Sequence, residues 1–156
     1  ELDGSPVTDQ DADEQFKLTI QVDQDRYRAG QLITAHATLT YLGPDQQAVA
    51  VGSGSGLVGF SLKRQEPPVR IDAAGTTDCK PYRFTRGQPV NLPFVKSGGF
   101  GGEDPLADFY RAYFASPELR LPAGSWTIEA GASFFIGACG GADHRLNASV
   151  TVVVEP

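Results

Sequence analysis

The chain has 156 residues, 40% of them hydrophobic and 21% charged, the proportions of one globular domain with enough apolar material for a real core. Its net charge of −6 speaks against a nucleic-acid partner, whose phosphates require a basic face, and against docking on an anionic bilayer. No apolar run approaches the roughly 18–20 residues that span a membrane, and 18 glycines with 11 prolines point to short strands and turns.

Residues 1–15 carry Asp3, Asp9, Asp11, Asp13 and Glu14 with almost no apolar side chains. A segment that buries so little is expected to be a flexible acidic leader or linker, able to tether the domain to a membrane. The Asp9, Asp11, Asp13 spacing matches the opening of a calcium loop. However, Glu14 stands where that loop needs glycine and Ile20 where it needs an acid, so a solvated leader is the better reading. There is no methionine, even at position 1. Glu1 therefore reads as a processed terminus, as after removal of a signal peptide, or as an arbitrary boundary.

From residue 16 onward, side chains alternate. Phe16, Leu18, Ile20 and Val22 share one face of a strand, and Ile33, Ala35, Ala37, Leu39 and Tyr41 share one face of the next. Such period-two patterning marks strands with one buried side. Short strands follow at Val49 and Val51, at Val58, Phe60 and Leu62, at Val69 and Ile71, at Tyr82 and Phe84, and at Val90, Leu92 and Phe94. Gly52 to Gly56 reads as a flexible hairpin loop, and Pro67 and Pro68 end a strand because proline lacks the ladder donor.

At 104–114 the period changes. Asp104 is placed to cap a helix, Pro105 to open it, and Leu106, Phe109, Tyr110, Tyr113 and Phe114 recur at helical spacing. These aromatics, with Phe100 in the preceding glycine-rich loop, have two readings: a stripe facing the core, or a ligand-binding patch for protein or glycan. The chain closes on two long alternating strands, Trp126 to Ala138 and Leu146 to Val154. The expected fold is thus an all-β antiparallel sandwich of about seven to nine strands with one short helix, a single domain over 16–156.

Two stretches resemble bacterial immunoglobulin-like sandwich domains: Tyr27-Arg28-Ala29-Gly30-Gln31 before an alternating strand, and Leu121-Pro122-Ala123-Gly124-Ser125-Trp126-Thr127-Ile128 feeding the penultimate one. Similar turns occur in extracellular modules, including small sandwiches of the BsuPI proteinase-inhibitor type. The resemblance implies a fold and no activity. The long segment between Pro67 and Pro105 departs from a minimal module of this kind.

Cys79 and Cys139 are the only cysteines, and their even number and wide spacing suit one disulfide in an oxidising compartment. A second arrangement competes for Cys139. Cysteine followed by His144 ahead of a last strand resembles the order in cupredoxins, and His36 would supply the second imidazole. Against copper stand the missing methionine, the outward parity of His36 and the simpler partner Cys79, so a disulfide with a surface histidine is favoured.

Enzymatic chemistry has little support. Gly52-Ser53-Gly54-Ser55-Gly56 lacks the central serine of a nucleophile elbow and the lysine of a phosphate loop. Glu103, Asp104 and Asp108 already have a reason to lie at a helix start. Asn147-Ala148-Ser149 is a glycosylation sequon that matters in a eukaryotic setting. The reading is a secreted or cell-envelope interaction module that needs no cofactor and binds protein or glycan. The alternatives are a protease inhibitor acting through the loop 97–103 and a copper site.

Overall fold

Alternation along the chain becomes two facing sheets in the computed structural model, which describes residues 3–156. In chain order the first strands are β1 Val7–Ala12, β2 Phe16–Val22, β3 Arg26–Arg28, β4 Leu32–Ile33, β5 Ala35–Tyr41, β6 Gln47–Gly52 and β7 Val58–Arg64. They are followed by β8 Val69–Ile71, β9 Lys80–Thr85, β10 Val90–Pro93, the helix α1 Ala107–Phe114, β11 Leu119–Arg120, β12 Gly124–Ile136 and β13 Ala142–Glu155. One main sheet runs β1-β2-β5-β10; the other runs β3-β13-β12-β6-β9, with β7 also on β12 and β8 on β7, and β4 pairs with β11 in a separate two-stranded piece. Pairing among the described residues is antiparallel except where β3 meets β13. The all-β antiparallel fold is therefore as expected. Thirteen strands stand where seven to nine were expected, because β1 is added and several edge pieces are only two or three residues long.

The long pair β12 and β13 is the backbone of the larger sheet. Trp126 faces Val152, Ile128 faces Val150, Ala130 faces Ala148 and Ala132 faces Leu146, and all eight are buried. From the other sheet come Phe16, Leu18, Ile20, Val22, Ala37 and Leu39, also buried in the same cluster. Burying each large aliphatic or aromatic of this set contributes about 1.5–3 kcal/mol against an exposed state. Phe16 is the hub, with ring centroids 4.8 Å from Phe134, 5.3 Å from Tyr41 and 5.5 Å from Phe84.

Several expectations are corrected. The acidic leader is not free along its length, since β1 forms a complete antiparallel ladder with β2 from Val7↔Val22 to Ala12↔Lys17. Residues 52–57 do not join a hairpin. Val51 pairs with Phe135 and Val58 with Ala132, so β6 and β7 follow one another along the same side of β12, and the residues between them bulge out. The helix starts at Ala107, after Asp104. Asp104 organises the turn ahead of it, its carboxylate accepting from the Leu106 N–H at 2.8 Å and its carbonyl from the Ala107 N–H at 2.9 Å.

The helix covers an otherwise open side of the sandwich. Phe109 stacks on Trp126 with centroids 6.1 Å apart, and the Tyr110 hydroxyl donates to the Arg70 carbonyl at 3.2 Å. The Trp126 indole N–H is satisfied within its own turn by the Pro122 carbonyl at 2.9 Å, which is why the Leu121–Ile128 stretch folds as it does.

Candidate functional site

Cys79 and Cys139 are bonded, with Cα atoms 6.3 Å apart and a sequence separation of 60. Cys139 lies past the end of β12, where Gly137 takes a φ of 82°. This left-handed turn releases Cys139 from the outward parity of the strand. Both cysteines are exposed. In the chain-entropy account a crosslink of this span contributes about 4 kcal/mol.

Beside the disulfide, the bulge 52–57 is stitched to the segment 72–78. Ser53 Oγ lies 2.6 Å from Ser55 Oγ and 2.9 Å from Thr76 Oγ1, and the Gly54 N–H donates to Asp78 at 2.9 Å. Donation from the Thr76 hydroxyl, then from Gly54, holds the Asp78 carboxyl below its ordinary range. These serines work as a clasp, and neither histidine of the chain enters the network.

The three residues of the alternative copper site, His36, Cys139 and His144, do not meet. Cys139 is spent in the disulfide. His36 lies half-buried on β5, paired with Gln21 and Pro93 in the smaller sheet. His144 sits on β13 in the larger sheet and is no surface histidine, being only 4% exposed. Its ring stacks on Phe134 at 5.5 Å and meets Phe16 edge-on at 5.4 Å, while Nδ1 donates to Asp13 at 2.5 Å. Burial raises the Asp13 pKa, but the N–H groups of Gln15 and Phe16 and the imidazole outweigh it, so the net direction is downward. Asp13, Glu14 and His144 do bring ligand-type atoms within 4.8 Å of one another. With the Asp13 oxygens committed to three partners, the arrangement is a closed hydrogen-bonded cluster.

The expected aromatic patch divides. Tyr110 and Tyr113 are core residues, 8% and 7% exposed, and burial raises the Tyr113 hydroxyl pKa. Phe109 and Phe114 are half-buried against the core. Phe100 is the most exposed of the five, at 37%, and lies flat against Phe114 with centroids 6.1 Å apart. Four of the five thus serve packing, because the helix has to close the sheet edge over Trp126.

Among the described residues the exposed large apolar side chains include Leu32, Leu42 and Val153, and the most exposed of them lies in the neighbouring segment 90–97. Val95 is 61% exposed, although the residues around it point inward and are fixed. Phe94 packs on Phe60 at 5.1 Å, and its N–H donates to the Ala35 carbonyl at 3.0 Å. Lys96 lies 4.1 Å over the Tyr113 ring and donates to the carbonyls of Tyr113 and Ser116 at the helix end. Burial lowers its pKa. Ser97 Oγ accepts from the Ala74 N–H at 3.0 Å.

Val95 thus forms a ridge between two clefts. One, of about 320 Å³, runs from Ser53 and Leu57–Phe60 past Ala73 to Leu92, with no charged residue in its lining. The other, of about 420 Å³, lies against Lys96, Phe114 and Pro117. No protein-family model and no curated protein matches this chain. Its function is read from this surface alone.

Sequence reasoning passed over Val95 because it extends the strand pattern of Val90, Leu92 and Phe94 by one residue of opposite parity. An isolated apolar residue on the solvent parity beside Pro93 was the available signal. Pro93 itself falls on the free-edge side of β10, where its missing N–H interrupts the row of donors and discourages unguided edge pairing. No helix among the described residues is long and apolar enough to cross a membrane.

Proposed function

We propose that this chain is a non-catalytic interaction module of an extracellular or cell-envelope protein, an immunoglobulin-like sandwich of the kind common in bacterial envelopes. It binds a protein partner through the ridge at Val95. The observation that carries this reading is the exposure of Val95 between anchored neighbours, which holds an apolar side chain out on a rigid base between two clefts. The solvent-exposed disulfide supports an oxidising compartment, where such a bond persists. A glycan platform draws less support because Tyr110 and Tyr113 keep their rings in the core. The protease-inhibitor reading is weakened by Phe100, which holds the loop 97–103 against the helix.

Immobilised chain should retain a discrete protein from the extracellular fraction of its own source. The V95E variant should retain it at least tenfold less well at an unchanged melting temperature. Equal capture by the variant would defeat the proposal.

A further inference from the structure

The N-terminal arm is attached to its two neighbours by different means. Toward β2 it makes a backbone ladder. Toward β13 and β3 it makes contact through carboxylates. Asp9 accepts from the Ser149 N–H at 3.0 Å, Asp11 from the Asn147 N–H at 2.9 Å and Asp13 from the His144 ring at 2.5 Å, and Asp25 accepts from the Ser5 N–H at 3.0 Å. Asp9 and Asp11 share one side of β1, and each takes the place of a strand carbonyl on the bare edge of β13, while Asp13, just past the end of β1, reaches the His144 side chain. This is the role of the acidic triplet. Meanwhile β1 buries little, as none of its six residues is fully buried.

We propose that β1 is an acid-releasable strap, fastened to β13 by carboxylates and able to leave at low pH while the sandwich stays folded. Hydrogen bonds to an ionised carboxylate are about twice as strong as those to a neutral acceptor, so protonation weakens each fastening. The contact between Asp13 and the His144 ring weakens in the same way when the carboxylate takes a proton. Few charges face the seam. Glu14 adjoins it on the arm, and Lys17 of β2 stands opposite Ala12. On β13, Asp143 and Arg145 flank His144 and pair with each other at 3.2 Å. The carboxylates of Asp9 and Asp11 thus rest on neutral N–H donors. Local release requires that the strap open at lower cost than the whole domain, which its poor burial provides.

Amide hydrogen exchange on the full chain tests this. The N–H groups of Asn147 and Ser149 face the strap, whereas those of Ala148 and Val150 face β12. As pH falls from about 7 to about 2.5, below the ordinary carboxyl range, protection factors at Asn147 and Ser149 should fall at least tenfold with Ala148 and Val150 unchanged. The D9A/D11A double variant should show the low values already at neutral pH. Unchanged protection at Asn147 and Ser149 in acid, or a fall shared equally by all four amides, would overturn the proposal.

Discussion

Asp13 shows how one side chain joins local and global structure. It closes its own turn through the N–H groups of Gln15 and Phe16 and reaches across to the buried His144. Its carboxyl pKa is lowered in the folded chain, so over the interval between the folded and unfolded values the unfolded state binds more protons. Stability from this group is therefore full above the unfolded value of about 3.9 and is lost as pH falls through the folded value. Urea unfolding from neutral pH into acid should show the wild type losing stability more steeply than D13A, with the curves converging at the acid end. Parallel curves would remove Asp13 from the account.

At the level of elements, the helix α1 is a plug whose aromatic side is consumed by the core. Tyr113→Ala should cost about 3–5 kcal/mol in chemical unfolding, the range for emptying a buried aromatic site, while Phe100→Ala should cost about 1 kcal/mol. Equal losses would mean that the loop at Phe100 is as structural as the helix. The strands were legible because alternation reports which face is buried, as with Phe16 to Val22 and Trp126 to Phe134. The helix was legible from its spacing, but its direction was not, since a stripe such as Phe109, Tyr110 and Tyr113 has the same spacing whether it meets a sheet or a ligand. β1 was hidden for a different reason. Its aspartates look like solvated charge until β13 supplies the N–H groups they accept from, and that pairing joins residues far apart in the chain. By contrast, the polar parity of Cys139 already required a bulge near Gly137 or a place past the strand end for it to face a partner, and the turn at Gly137 supplies this.

For the molecule as a whole, closure differs from side to side. One side is fastened by carboxylates between β1 and β13. Another is plugged by α1, and at one end the disulfide and the Ser53–Thr76–Asp78 clasp tie the exposed loops. Between the plug and the clasp, cover is incomplete, and there Val95 stands out between the two clefts. The central claim is that this ridge is where a partner docks. The most direct measurement places a photo-crosslinking amino acid at position 95, with Gln21 on the exposed face of β2 as control, and irradiates each protein in the extracellular fraction of its source. The account predicts a discrete protein adduct from position 95 and none from position 21. No adduct from position 95, or the same adducts from both positions, would contradict it.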